Sequence, residues 1–262
     1  VAGAGIIGAS IAFNLAQKGY AVTLIDRTAP ASGASFGNAG GIVNNSYVPT
    51  STPGIVFDVG TMLTRPHSPF SLRPRYLLKA LPWLIEFLNQ SRQHRVDQNA
   101  DQLHALTRHA ADDWLKLVGE TALTRYVRKV GWLKVYSSTR SFANTGFTRQ
   151  LMDRLQVPYD VLGAADIKRL EPALSPDFTH GLFQSDALHI TNPGAPVHEM
   201  TNLMLAHGGI YKKMCVEQIS VSKNAVTVSN QSESLTADKL VIATGAYTEP
   251  LAGMVGDKVT LV

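Results

Sequence analysis

The first 30 residues follow a hydrophobic pattern that is typical of a strand, a turn, a helix and a second strand. Ile7, Ile11 and Leu15 recur at helical spacing, and polar residues fill the opposite side of the same segment. Gly19 marks the predicted end of this helix. A short apolar strand over residues 21–25 follows, so the chain begins as a βαβ unit.

The middle of the chain is predicted to be mainly helical. Gly, Ser, Asn and Pro alternate densely over residues 31–60, which predicts either an ordered loop or disorder. Helices are predicted over 75–118, 141–155 and 165–170, and strands over 132–136 and 157–162. The first of these helical segments carries an apolar stripe made of Leu103, Leu106, Ala110, Trp114 and Leu117. We expect this stripe, and the side chains of Trp83 and Trp132, to lie in a core.

Beyond residue 180 strands dominate again. They are predicted over 181–183, 210–215, 217–222, 225–229 and 239–243, with one helix over 196–207. This order predicts an α/β fold with a discontinuous domain made of residues 1–45 and 190–262. Residues 46–189 are predicted to form an inserted α+β domain.

Charge and cysteine usage exclude some partners. The net charge is +4 without any block of like charges, which argues against nucleic acid as a partner. The single cysteine, Cys215, cannot form an intramolecular disulfide, which favours a reducing, cytoplasmic compartment. The apolar stretch over 77–88 is too short to span a bilayer. Basic residues surround it, namely Arg65, Arg73, Arg75, Lys79, Arg92 and Arg95. The stretch is therefore either a core helix or a peripheral contact with an anionic inner membrane.

The two ends of the sequence predict that it is part of a longer protein. Only Val1 and Ala2 precede the first glycine, although a parallel strand commonly has about five or six residues. The last residues form an apolar, β-branched run without a turn signal. We expect this chain alone not to turn over substrate.

The first functional signal is a G-x-G-x-x-G run over residues 3–8, placed between a strand and an amphipathic helix. In Rossmann-like domains these glycines let the backbone approach a pyrophosphate, which lies at the positive end of the helix. Asp26 stands 18 residues after Gly8, where a carboxylate accepts hydrogen bonds from a ribose. Its charge disfavours a 2′-phosphate, so NAD and FAD remain as candidate cofactors.

Two further segments strengthen the interpretation. The pattern over residues 240–246 predicts a buried strand that leads into Thr244 and Gly245. This strand would end at the same sheet edge as the glycine run. The loop over 32–41 concentrates glycines around Phe36 and Asn38. So permissive a backbone can wrap a flat polar ligand and donate successive amides to it.

These segments, in this order and at these intervals, resemble the FAD-dependent D-amino acid oxidase superfamily, and within it the small-subunit type of bacterial D-amino acid dehydrogenase. The resemblance extends over essentially the whole chain. It implies an FAD-binding Rossmann-like domain with an inserted α+β substrate domain. The cofactor-binding residues that the resemblance implies are Gly3, Ala4, Gly5, Ile6, Ile7, Gly8, Asp26, Arg27, Ser35, Asn38, Ala39, Gly40, Gly41, Val216, Ala243, Thr244 and Gly245.

The same resemblance implies oxidative deamination of a D-amino acid or a related small amine, by hydride transfer to FAD. The electron acceptor would be other than NAD, with a quinone of the respiratory chain as one candidate. No catalytic residue is assigned, and Tyr47 and Arg75 are the only candidates for a substrate pocket. No His pair has the context of a metal site. An NAD-linked dehydrogenase and a non-catalytic fragment remain the alternatives.

Overall fold

The computed structural model describes residues 1–44, 47–53, 74–119 and 121–259. Helices α1 to α9 are Ile6–Gln17, Pro74–Gln90, Gln93–Thr107, Ala110–Val118, Thr139–Ala143, Gly146–Arg154, Ala164–Leu170, Gly194–Ala206 and Thr248–Met254. Strands β1 to β11 are Thr23–Asp26, Gly41–Ile42, Val127–Lys129, Trp132–Tyr136, Asp160–Gly163, His180–Gln184, Leu188–Ile190, Ile210–Lys213, Gln218–Val221, Val226–Ser229 and Ser234–Ala237. Short 3₁₀ helices span Ala122–Tyr126 and Gly245–Tyr247. This mixed content confirms the predicted α/β class.

The chain forms two compact units. The first contains residues 1–40, 118–128 and 190–262, and the second contains residues 41–117 and 129–189. The assignment of 1–45 and 190–262 to cofactor binding and of 46–189 to substrate binding stays a prediction. Within the described ranges, no helix is long and apolar enough to cross a membrane.

Parallel pairing organises the first unit. Strand β1 pairs with β8 in parallel, so that Asp26 lies opposite Lys213. Ala2 forms parallel bridges to Ile25 on one side and to Ile242 on the other. Segments at the beginning, the middle and the far end of the sequence therefore lie side by side and end at one edge, where ligands bind in open α/β sheets.

Helix packing supports this edge. The buried face of α1, which includes Ala9, Ala12, Phe13 and Ala16, packs against α8. Small residues on that face let the two helices approach closely. An antiparallel sheet in the order β11–β10–β9 adds Ile219, Val226 and Val228 to an apolar cluster that also contains Ala2 and Ile25. The packing of α1 against α8 and the apolar cluster around Ala2 therefore both hold the glycine turn in place.

The second unit combines helices α2, α3 and α4 with an antiparallel sheet in the order β4–β6–β5. One of its apolar clusters surrounds Tyr47, with Ala100, Leu151, Met152 and Val157. Strand β2 pairs with β7 through Gly41 and His189.

Several sequence predictions are wrong in detail. The helix predicted over 141–155 is two helices, because α5 ends at Ala143 and α6 begins at Gly146, with Asn144 and Thr145 as the cap residues between them. The strand predicted over 239–243 is reduced to a bridge at Ile242, and strand β11 was not predicted. Leu106 is 81% exposed and Trp83 is 47% exposed, so neither is a core residue. Of the basic residues noted in the sequence, Arg65 and Arg73 lie outside the described residues.

Candidate functional site

The glycine run forms a tight turn between Ala2, which bridges Ile25 and Ile242, and the beginning of α1. Gly3 has a φ of 105°, a conformation that side chains rarely adopt, and a Cβ there would overlap the backbone of Ala243. A Cβ at Gly8 would overlap the carbonyl oxygen of Gly3. Glycine is therefore required at both positions, for the turn and for the close packing of helix and strand.

Ser35 ties the loop that follows β1 to the beginning of α1. The amide of Ile6 donates to Ser35 Oγ at 3.0 Å. The first amides of a helix have no partner within that helix, so this hydroxyl satisfies one of them. The amides that follow lie at the positive end of the helix, where an anionic group such as a pyrophosphate is favoured.

The carboxylate of Asp26 lies at the end of β1 and connects three segments. Its Oδ2 accepts from the amide of Ala4 at 2.7 Å, and its Oδ1 accepts from the amide and the hydroxyl of Thr28 at 2.8 and 3.0 Å. An ionised carboxylate has about four acceptor sites, so one remains for an outside donor such as a ribose hydroxyl. Asp26 therefore shapes the glycine turn as well as presenting a binding group.

Tyr211 on β8 supports the same arrangement. Its hydroxyl donates to the carbonyl oxygen of Thr28 at 2.6 Å. Partial burial and, secondly, the charge of Asp26 raise the pKa of Tyr211 above its ordinary value. The phenol therefore stays protonated and keeps donating at neutral pH.

Two adjoining clefts open beside these residues. The larger, of about 530 Å³, lies over the glycine turn, and its lining comprises residues 3–7, 26–29, 32–35 and 242–248. The smaller, of about 230 Å³, is more apolar and is lined by Ala2, Gly3, Ile25, Asp26, Arg27, Met214, Cys215, Val216, Thr244, Tyr247, Pro250, Leu251 and Met254. The larger volume lies in the range of small-molecule sites, and the two clefts share part of their lining.

The residues present fit a dinucleotide. The amides at the start of α1, beside the larger cleft, suit a pyrophosphate, the carboxylate of Asp26 suits a ribose, and the apolar cleft beside Val216 suits an adenine ring. The titratable residues that line the clefts, within the described ranges, are Asp26, Arg27, Cys215 and Tyr247. This set can hold and orient a ligand, but it lacks a paired acid and base for proton transfer.

Most predicted cofactor residues meet at these clefts. Ala4, Gly5, Ile6, Ile7, Ser35, Ala243 and Gly245 line the larger one, Val216 the smaller one, and Gly3, Asp26, Arg27 and Thr244 line both. Gly8 is buried beneath the turn. Their role in binding the cofactor stays a prediction.

The rest of the predicted loop lies elsewhere. Within the described residues, Asn38, Ala39, Gly40 and Gly41 line neither cleft. Asn38 Oδ1 accepts from the amide of Gly40 at 2.8 Å, so its side chain closes a turn of the loop itself. A Cβ at Gly40 would overlap the carbonyl oxygen of Ile190. The structure thus gives Asn38 and Gly40 a role in loop conformation, and their contact with a flavin stays a prediction.

Sequence reasoning missed three residues of the site: Thr28, Tyr211 and Tyr247. A short distance after Asp26 along the chain, Thr28 matches a common turn pattern in which Asp and Thr bond locally, and this signal could have been used. Tyr211 and Tyr247 lie about 180 and 220 residues away in sequence, and no local signal connects them to Asp26.

Of the two substrate-pocket candidates, Tyr47 and Arg75, the structure describes the side chain of Tyr47. Tyr47 is 1% exposed within an apolar cluster of the second unit, and burial raises its pKa, which keeps the phenol neutral. Its surroundings indicate a packing role. The side chain of Arg75 lies outside the described residues.

A single protein family matches the whole length of the chain. Residues 1–262 match the profile described as FAD dependent oxidoreductase (DAO). The chain is 32% identical over 265 residues to a D-amino-acid oxidase of Bradyrhizobium diazoefficiens, covering 100% of this chain and 63% of that protein. It is 28% identical to a D-amino acid dehydrogenase of Rhizobium johnstonii, covering 98% of this chain and 63% of that protein. The chain therefore spans less than two thirds of these relatives.

A solved structure shares the fold. The crystal structure of glycine oxidase from Geobacillus kaustophilus superposes with a TM-score of 0.64 at 17% identity. The superposition covers 97% of this chain and 57% of that one.

Proposed function

Since the chain belongs to the FAD dependent oxidoreductase family, we propose that it binds FAD across the two clefts and that the protein oxidises a D-amino acid or a related small amine. The observation that carries this proposal is the position of Asp26. Its carboxylate lies among the residues that line both clefts and retains one acceptor site. An elongated ligand with a ribose between an anionic and an aromatic part matches this arrangement.

In this proposal the residues of the chain bind the cofactor and orient it. The start of α1 and the backbone around Gly3 hold the pyrophosphate, Asp26 fixes the ribose, and the apolar cleft beside Val216 excludes water from the adenine. When bound, the flavin supplies the chemistry by accepting a hydride from the carbon that bears the amine.

The proposed substrate class draws on the relatives, one named D-amino-acid oxidase and one named D-amino acid dehydrogenase. Only one hand of an amino acid can present its Cα–H to a flavin while its carboxylate meets a fixed cation. D-enantiomers should therefore reduce the flavin much faster than L-enantiomers.

The decisive experiment follows the flavin absorbance of the protein encoded by the natural gene, mixed without oxygen with D- or L-amino acids or with NADH. We expect rapid bleaching by a D-amino acid or a small amine. A colourless protein that binds no FAD would reject the whole proposal. Equal rates with both enantiomers would reject only the substrate class, and reduction by NADH alone would favour an NAD-linked enzyme.

We propose in addition that the protein contacts the surface of an anionic membrane, where a quinone can accept the electrons. Helix α2 exposes large apolar side chains, among them Leu78 at 83% exposure and Trp83, and it carries Lys79. Arg92 and Arg95 follow it directly and are exposed. Apolar residues flanked by cations match the headgroup region of an anionic bilayer on its cytoplasmic side.

Vesicle cosedimentation tests this contact. The parent should sediment with vesicles containing anionic lipid and much less with zwitterionic ones. The change Leu78→Ser should reduce the bound fraction, whereas Leu106→Ser, at an equally exposed leucine of α3, should not. Equal effects of the two changes would contradict a role for α2.

A further inference from the structure

The guanidinium of Arg27 stacks on the ring of Tyr247. Arg27 Cζ lies 3.9 Å from the centroid of the ring. Arg27 follows the last residue of β1, and Tyr247 ends the 3₁₀ helix that comes after Thr244. The stack therefore links the ends of two parallel segments that are more than 200 residues apart in sequence.

The stack stands where the two clefts adjoin. Five residues line both clefts: Gly3, Asp26, Arg27, Thr244 and Tyr247. The carboxylate that suits a ribose belongs to this shared set. A ligand that occupies both clefts must therefore pass directly beside the stacked pair.

The pair is also able to open. Arg27 is exposed and the Tyr247 residue is 58% exposed, and a cation–π contact at an exposed site is weak. Opening it exposes little additional apolar surface. The interaction strengthens when a neighbouring ligand removes water from the ring and the guanidinium.

We propose that Arg27 and Tyr247 form a clasp that closes beside the adenosine half of the bound cofactor and limits its release. This inference rests on the proposed binding of FAD across the two clefts. The ligand class is an adenosine diphosphate whose ribose contacts Asp26. The clasp slows dissociation, because the pair must separate before the adenosine leaves.

The test is a double-mutant cycle with Tyr247→Leu, Arg27→Gln and the double variant, in the protein encoded by the natural gene. The FAD dissociation rate is measured from the recovery of flavin fluorescence after dilution into excess ADP. We expect each single change to raise the rate about five-fold. The double change should raise it no more than the larger single change, because either one already removes the pair.

Three controls separate a clasp from a general loss of structure. Tyr247→Phe keeps a π face and should change the rate less than about two-fold. Tyr20→Leu, at an equally exposed tyrosine away from the clefts, should leave it unchanged. ADP contains the groups that lie beside the clasp, so Tyr247→Leu and Arg27→Gln should lower the affinity for ADP as well as the retention of FAD.

Other outcomes overturn the clasp. The first is an unchanged FAD dissociation rate in Tyr247→Leu. The second is a rate in Tyr247→Phe that rises as much as in Tyr247→Leu. The third is a rate in the double variant that rises by the product of the two single increases. A parent protein that binds no FAD would instead reject the proposed function, so the two failures are distinguishable.

Discussion

Both carboxylate oxygens of Asp26 accept hydrogen bonds from the protein itself, through Ala4 and Thr28. A residue expected to contact only a ribose is thus also a support of the glycine turn. Hydrogen bonds to a charged acceptor contribute more to stability than neutral ones. Replacing Asp26 should therefore affect ligand binding and the local structure together.

We expect Asp26→Ala to weaken FAD binding by about 1–3 kcal/mol, because the change removes charge-assisted bonds to the ribose and to the turn. Flavin retention after gel filtration and fluorescence titration measure this loss. Asp238→Ala, an exposed acidic residue that lines neither cleft, is the control and should retain FAD fully. Equal affinity in Asp26→Ala and the parent would contradict the assignment of this residue.

The raised pKa of Tyr211 implies that the free energy of unfolding depends on pH. Its pKa is raised in the folded protein by burial and by Asp26, so the folded state holds the proton at a pH where the unfolded state has lost it. Its contribution is therefore complete below about pH 10 and is lost as the pH rises through the folded pKa. The free energy of unfolding of Tyr211→Phe should lie below that of the parent by a constant amount between about pH 7 and 9, and the two should converge above about pH 10. A difference that does not change with pH would mean that the phenol proton is not involved.

At the scale of elements, the glycine turn and the beginning of α1 form one unit. The backbone of Gly3 lies directly against Gly8 and Ala243, which leaves no room for side chains at either glycine. The loop after β1 adds the hydroxyl of Ser35. The conformation of the turn thus depends on three segments rather than on the helix alone.

The change Gly8→Val should lower the free energy of unfolding by about 1–3 kcal/mol or more, because a rigid backbone atom stands in the way of the new side chain. FAD binding should be lost with it. At Gly37 a Cβ meets nothing within 4 Å, so Gly37→Ala should change stability by less than about 1 kcal/mol. Chemical denaturation of both variants gives the comparison, and similar losses would contradict the close packing at Gly8.

At the scale of the whole molecule, the proposed ligand contacts segments that are distant in sequence. The clefts are lined by residues from 2–7, 25–35, 214–216 and 242–254, all within the first compact unit. A ligand that binds only when these segments are together stabilises the folded state by mass action.

We expect FAD at about 100 times its dissociation constant to raise the midpoint of thermal unfolding by about 5–10 °C. The shift should be absent with NAD and reduced in Asp26→Ala at the same FAD concentration. Differential scanning fluorimetry read from tryptophan emission avoids interference from added dye. A shift with NAD and none with FAD would favour the NAD-linked alternative.

Local signals predicted the elements that carry the glycine turn. The spacing of Gly3, Gly5, Gly8 and Asp26 predicts which residues approach a phosphate and a ribose, and these roles stay predictions. The family resemblance built on this spacing is confirmed by the match over the whole chain. Strand β11 escaped prediction because Thr236 is the only strong strand former among its four residues. It forms because β10 offers an edge to pair with.

The sequence by itself predicted the glycine turn and narrowed the cofactor to NAD or FAD, because both depend on residues close together along the chain. The class of fold followed from the order of the elements, and FAD from the resemblance over the whole chain. The tertiary structure decided which helix faces are covered. Periodicity placed Leu106 on a stripe with Leu103, but only packing shows that Leu106 is exposed.

The tertiary structure also decided which residues lie beside Asp26. Parallel pairing of β1 with β8 brings Tyr211 to Thr28, and the return of the chain at Ile242 brings Tyr247 to Arg27. Contacts across more than 180 residues follow from strand order, and strand order is a property of the folded chain rather than of any local pattern.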